Sequence, residues 1–248
     1  MTSLPPPILV RDPNALAELA GTLARAATVA VDTESNSLHA YRERVCLIQF
    51  SLPGRDYLLD TLAVSALNAL KPILRDPGIE KVFHAAEYDL ICLRRDFAME
   101  IRNLFDTMVA AGTLGWKKVG LASLLEERYG VIMNKRLQRA DWGRRPLTEE
   151  QLAYARLDTH YLIRLRNELE TELKTAGRWE EAREEFERIA LTPSPDGLLV
   201  GRAPSAPLQE GFARARGEAF WRIAGARDLK PQQQAVLREL PDLAWVGN

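Results

Sequence analysis

Three stretches of this sequence carry carboxylates where a protein core would ordinarily place apolar groups. In TVAVDTE (28–34), Asp32 and Glu34 are two residues apart. Alternate side chains of a strand share a face, so the two acids point the same way and continue the face of Ala30. The residues before them are apolar on both faces, the pattern of a central strand. The plainer reading places both acids in a solvated turn at the strand end. Asp158 lies in a helical pattern whose apolar stripe is Leu152, Ala155, Leu162, Leu165 and Leu169. At about 100° per residue it falls inside that stripe, with Tyr154 one turn earlier on the adjoining edge. Arg156 and Arg164 project elsewhere on the wheel. A carboxylate on an apolar helix face is costly unless it is paired, hydrogen-bonded or bound to metal. Asp89 flanks the stripe Ala86, Leu90, Leu93 and Phe97 near a helix N-terminus, where the dipole favours an anion. Asp96 has a similar angle at the other end, and the wheel alone does not separate the two.

Four converging carboxylates repel one another, and two divalent cations would neutralise them. Oxygen donors without nearby His or Cys favour a hard ion, Mg²⁺ or Mn²⁺, over zinc. Two such ions about 4 Å apart form a clamp for in-line phosphoryl displacement.

These acids need a scaffold, and the periodicity supplies one. Residues 14–26 read as an amphipathic helix, and 28–34, 45–51 and 56–60 as three strands. Residues 62–74 read as helix, Lys81 to His84 as a buried strand, and 86–97 as helix. LFDTM (104–108) is strand-like and precedes helices at about 108–114 and 121–129. A long helix is expected from Thr148, where T-E-E-Q offers a capping box after Pro146, to about Lys174. Strands first, then helices alternating with strands, predict an α/β domain with helices on a sheet. The run 192–207, with four prolines and two glycines, reads as a linker. Residues 208–248 resume helical character but are too few for a sizeable core of their own. The expected division is a domain over 1–191, a linker over 192–207 and a short helical tail over 208–248.

The chain has 248 residues, is 46% hydrophobic and carries a formal net charge of −1. That excludes a generally basic surface, so a polyanionic ligand would need local cations or metal ions. Cys46 and Cys92 are far apart and have no C-x-x-C spacing, which argues against a zinc site and a disulfide scaffold. They read as reduced core thiols. No signal peptide is visible, and no apolar run approaches the roughly 20 residues that span a bilayer. A soluble cytoplasmic protein is expected.

VAVDTESNSL, VFHAAEYDL and LAYARLDTHYL together resemble the three exonuclease motifs of the ribonuclease D family, within the DEDD nucleases that carry a Tyr in the third motif. YRERVCLIQF and RLQRADWGRRPLTEEQL resemble the same family, and the resemblance covers roughly residues 8–190. It implies an RNase H-like fold, a mixed five-stranded sheet flanked by helices. It implies a 3′-5′ exonuclease that removes 5′-mononucleotides from single-stranded RNA 3′ ends by a two-metal mechanism. Asp32, Glu34 and Asp158 would hold one metal, Asp32 would bridge to the second, and Asp89 would hold that one. Tyr154 would orient the attacking water and help remove its proton. Asp106 matches a family position outside the four ligands and reads as structural. DNA as substrate, a catalytically silent nucleic-acid-binding module and a small-nucleotide hydrolase are the alternatives. No obligate protein partner is evident. FWRIAGARDLKPQQQAVLREL resembles the segment that leads into the HRDC domain of full-length ribonuclease D, and the few residues after it are too short for a whole HRDC domain.

Further candidates for nucleic-acid contact are weaker. His84 could line the terminal-nucleotide pocket or simply end a buried strand. His39 and Tyr41 could stack on a base or be surface loop residues. Lys135, Arg136, Arg139, Arg144 and Arg145 surround Trp142, and could form a phosphate track with a stacking platform or a solvated loop that Trp142 anchors.

Overall fold

Six strands make one mixed sheet in the computed structural model, which describes residues 4–191. The expected linker at 192–207 and tail at 208–248 lie outside the described residues. In chain order the elements are β1 (Ile8–Val10), α1 (Pro13–Leu23), β2 (Thr28–Ser35), β3 (Val45–Leu52), β4 (Arg55–Asp60) and α2 (Lys71–Arg75). They continue with β5 (Glu80–Phe83), α3 (Glu87–Phe97), β6 (Leu104–Asp106), α4 (Thr107–Thr113), α5 (Leu121–Tyr129), α6 (Glu149–His160), α7 (Leu162–Thr175) and α8 (Trp179–Leu191). The spatial order is β1-β4-β3-β2-β5-β6. Strand β3 runs antiparallel to both β2 and β4, while β1 on β4, and β5 and β6 beyond β2, are parallel.

The α/β fold is the one expected, with a sixth strand that was not. Strand β1 is three residues long and pairs with β4 from Ile8↔Tyr57 to Val10↔Leu59. Such a short strand shows no period of its own. Two helices also differ from expectation. Over 62–74, only Lys71–Arg75 is α-helical, preceded by a 3-10 turn at Asn68–Leu70. The carboxylate of Asp60 accepts the N–H groups of Leu62 and Ala63 and closes a turn there instead. The long helix from Thr148 breaks at Tyr161 into α6 and α7. Tertiary contacts sit at the break: Asp56 of β4 accepts from His160 Nδ1 at 2.8 Å, and the Tyr161 ring stacks on Tyr129 at 5.4 Å. The capping box is as expected, with Thr148 and Gln151 bonded reciprocally.

Strand β2 divides its side chains between two cores. Val29 and Val31 pack in the cluster that includes α1 and α3, whereas Ala30 packs with Leu162, Leu165 and Leu169 of α7. Asp32 and Glu34 continue the Ala30 side. Strand β2 pairs with β5 only over Thr28–Ala30, and on its other edge it stays paired with β3 until the register shifts between Glu34 and Ser35. The acids therefore sit where the sheet opens on one side of β2.

Candidate active site

The turn that closes this opening is held by Asp106. Strand β5 ends at Phe83, and Ala85 adopts φ 61° before α3 begins. A left-handed alanine is strained and persists only when its surroundings hold it. The Asp106 carboxylate accepts the N–H of Ala85 at 3.1 Å and of Ala86 at 2.7 Å, and also caps α4 through Met108 and Val109. It thus joins the β5–α3 and β6–α4 turns and aims the first turn of α3, with Asp89, at β2. Its structural reading from sequence fits these bonds. The structure also separates Asp89 from Asp96. Asp89 is buried and lines a cavity beside β2, whereas Asp96 accepts the Val45 N–H at 2.7 Å and pairs with Arg95.

Asp32, Glu34 and Asp158 come together, with one carboxylate oxygen of each within 4.8 Å of the others. Asp89 stands beside this group and takes a short hydrogen bond from the Thr33 hydroxyl. All four line the cavity, of about 480 Å³, together with Tyr154 and Lys135. Burial, then the charges of Asp89, Asp158 and Glu34, push the Asp32 carboxyl well above the usual carboxylate range. Burial and the same kind of repulsion raise Glu34 likewise. Asp158 is raised chiefly by burial, against a hydrogen bond from Tyr154. Asp89 is pushed up to about 7 by burial, against its bonds from Thr33.

The Tyr154 phenol is held well above its ordinary value by burial and then by Asp158, Glu34 and Asp32. Its hydroxyl also receives a hydrogen bond from Gln138, a cavity residue that carried no motif signal. Asp158 Oδ2 is buried with no hydrogen-bond partner. An orphaned, buried carboxylate oxygen among mutually repelling acids fits a cation site. The donors are all oxygen, the set suited to a hard divalent ion.

The weaker candidates divide. His84 lines the cavity, but its Nδ1 is bonded to Thr107 Oγ1 at 2.9 Å and burial lowers its pKa to about 4. Lys135 lines the cavity, and Arg136 lines a neighbouring groove. His39 is exposed and bonds the Arg139 carbonyl at 3.0 Å, while Tyr41 is 69% exposed on the same loop. Arg139 and Arg144 are exposed. Two residues do not match the expected stacking platform and phosphate track. Trp142 is only 1% exposed and packs against Tyr154 in the core, so it has no free face for a base. Arg145 is bonded to both oxygens of Asp60 at 2.7 Å and to the carbonyls of Cys46 and Trp142. Its guanidinium is already committed to an internal fork. Besides Gln138, the exposed Tyr88 and the buried Met133 also line the cavity, and nothing in the sequence pattern marked them.

A family model described as 3′-5′ exonuclease matches residues 7–174. The chain belongs to the 3′-5′ exonuclease family. Exosome complex exonuclease RRP6 of Saccharomyces cerevisiae is 35% identical over 240 residues, 94% of this chain and 32% of that protein. Among solved structures, Escherichia coli RNase D matches with a TM-score of 0.71 and 29% identity, covering 93% of this chain and 59% of that one. Brucella melitensis NrnC bound to pGG matches with a TM-score of 0.66 and 28% identity, over 76% of this chain and 91% of that one. The same protein with bound Mg²⁺ gives 0.60 and 28%, over 67% and 83%. The chain spans between 16% and 32% of the length of curated relatives that it matches. The resemblance of its three motifs to ribonuclease D is borne out. Within the exonuclease family fold, no helix among the described residues is long and apolar enough to cross a membrane.

Proposed function

We propose that the chain is a metal-dependent exoribonuclease that hydrolyses the last phosphodiester at a single-stranded RNA 3′ end and releases 5′-mononucleotides. The observation that carries this reading is the convergence of Asp32, Glu34 and Asp158 within 4.8 Å, with Asp89 alongside, in one open cavity. Two divalent ions, Mg²⁺ or Mn²⁺, would be held, one by Asp32, Glu34 and Asp158 and the other by Asp32 and Asp89. When bound, they offset the negative charge that builds on the phosphoryl group. The NrnC structure with Mg²⁺ supports the choice of a hard ion.

Water oxygen bonds to phosphorus as the P–O3′ bond breaks; the water's proton passes to solvent, and the leaving O3′ takes one up from solvent. In the metal-free chain, burial and three acids hold the Tyr154 phenol above its ordinary value. We assign Tyr154, which lines the cavity beside Asp158, the orientation of the attacking water and of Asp158. RNA is favoured by the names of the relatives, an exosome exonuclease and an exoribonuclease involved in structured RNA processing. The exosome name also means that the expected lack of a protein partner does not carry over. A cytoplasmic location is part of the proposal, consistent with the free, buried thiols of Cys46 and Cys92.

The test is degradation of labelled RNA and DNA oligonucleotides of several lengths with Mn²⁺ and with EDTA. The expected result is stepwise shortening of RNA from its 3′ end, faster than of DNA, and none in EDTA. Faster DNA hydrolysis would change the substrate class, and binding without hydrolysis would make the chain a silent binding module.

A further inference from the structure

Strand β3 buries an amide between Ile48 and Phe50 that the mechanism above does not use. Ala30, Asp32 and Glu34 of β2 lie opposite Ser51, Gln49 and Leu47 of β3, and residues directly opposite one another share a face of the sheet. Helix α6 covers that face. Ser51 Oγ bonds Thr159 Oγ1 of α6 at 2.7 Å, and Leu47 packs in the cluster that holds Tyr154 and Ala155. Gln49 stands between Leu47 and Ser51, beside Asp32 and against the turn of α6 that carries Asp158. It is 0% exposed, and neither its Nε2 nor its Oε1 has a hydrogen-bond partner among the described residues. A buried amide left unpaired is costly, and an apolar side chain of the same length would fill the position without that cost.

Resting on the metal-dependent reading of the four acids, we propose that Gln49 is a positioning residue whose amide N–H donates to Asp158 Oδ2 in the cation-loaded protein. The two groups complement each other. Asp158 Oδ2 is itself buried without a partner. A carboxylate oxygen of Asp158 lies within 4.8 Å of one of Asp32, the residue in register with Gln49. An ionised carboxylate only accepts, and an oxygen turned into the protein needs a donor that solvent cannot supply. Gln49 Nε2 supplies it from β3. The bond fixes the rotation of the carboxylate, as outer partners commonly do for metal ligands. Trp142 Nε1 is a second buried donor without a partner, in the same cluster as Tyr154. Gln49 is preferred to it because the strand register sets Gln49 directly beside Asp32. The amide therefore destabilises the metal-free protein and strengthens its hold on the cation.

The experiment uses the full chain as wild type, Gln49→Met, Ser51→Ala and Trp142→Phe, with melting in EDTA, calorimetric titration with Mn²⁺ and kinetics on a short RNA. Gln49→Met keeps the length and removes the donor. Its metal-free Tm rises by roughly 2–4 °C. Its Kd for Mn²⁺ rises about tenfold and kcat falls about tenfold, with KM for RNA unchanged. Ser51→Ala removes the bonds to Asp56 and Thr159 from the same strand face, so it lowers Tm and leaves the isotherm as it was. An unchanged isotherm for Gln49→Met, or an equal weakening in Ser51→Ala, makes the amide a packing group and overturns the assignment. A weakening in Trp142→Phe but not in Gln49→Met gives Asp158 to the indole and also overturns it. Nuclear magnetic resonance reads the bond in the unaltered protein: a side-chain N–H proton of Gln49 moves downfield on saturation with Mg²⁺. If it does not move, the assignment fails, even where Gln49→Met does not fold. Should the wild type bind Mn²⁺ but hydrolyse no RNA, the exonuclease reading fails alone, and the isotherms still decide the role of Gln49. A wild type that hydrolyses RNA beside a Gln49→Met with unaltered Mn²⁺ binding leaves that reading standing and sinks only this one.

Discussion

Thr33 donates its hydroxyl to the carboxylate of Asp89 across the gap between β2 and α3. Thr33 lies between Asp32 and Glu34 but faces the other way along the strand, so one residue ties the two acids of the strand to the acid of the helix. Asp89 stands beside the three-carboxylate group rather than within it. Thr33→Val keeps the shape and removes the donor. We expect it to fold normally and to bind its weaker Mn²⁺ roughly tenfold less tightly, about the scale of one hydrogen bond to a charged group. Calorimetric titration with Mn²⁺ checks this, and an unchanged isotherm would show that Thr33 does not position Asp89.

The four acids set a pH dependence for the metal-free protein. Asp89 has a value of about 7 in the folded chain against 3.8 ordinarily, raised by burial. A carboxyl raised on folding contributes stability that is fully present below its unfolded value and is lost as pH rises through the folded one. The metal-free protein therefore loses stability between about pH 4 and pH 7, and saturating Mn²⁺ restores it. Asp89→Asn should raise the metal-free Tm at pH 8 by roughly 2–8 °C, as about 1–2 kcal/mol gives for a chain of this size, and by less at pH 5. Melting curves in EDTA at the two pH values test the sign. A variant that melts lower at pH 8 would contradict it.

Tyr154→Phe retains the ring that packs on Trp142 and deletes the hydroxyl that bonds Asp158. Turnover should fall by roughly 10²-fold with little change in KM, the scale of a misplaced reacting group. The pH profile of the Mn²⁺-loaded wild type should contain no rise near neutrality that Tyr154→Phe abolishes. Steady-state kinetics across pH measures both, and such a rise, lost in the variant, would make Tyr154 a base.

Arg145 is assigned to the fold, not to RNA. Arg145→Ala leaves Asp60 buried without its fork and should cost about 3 kcal/mol of stability. KM for a short RNA should be unchanged at a temperature where the variant is folded. Denaturant melts and kinetics together separate the roles: a large KM effect without destabilisation would return Arg145 to the phosphate track.

The site was more legible in the sequence than its surroundings, for local reasons. Two-residue alternation in β2 put Asp32 and Glu34 on one face, and helical spacing put Tyr154 and Asp158 together. Those relations survive whatever the rest of the chain does. The wheel that placed Asp158 between Leu162 and Leu165 assumed an unbroken helix, yet the chain bends at Tyr161 because Asp56 and Tyr129 hold its two sides. Trp142 and Arg145 misled for the same reason. A tryptophan among arginines looks exposed until Asp60, 85 residues away, takes the arginine inside. Gln138 carries no period at all, and only the meeting of its turn with α5 and α6 gives it a cavity to line.

The central claim is that four carboxylates hold the metal that cuts RNA from its 3′ end. Its most direct test tracks a 3′-labelled single-stranded RNA with Mn²⁺, using wild type, Asp32→Ala and Asp158→Ala, each verified as folded. The account predicts that the wild type releases the labelled terminal nucleotide as the first product. It also predicts no release in EDTA and nearly none from either variant. Activity within tenfold of wild type in either variant, or internal fragments as first products, would contradict it.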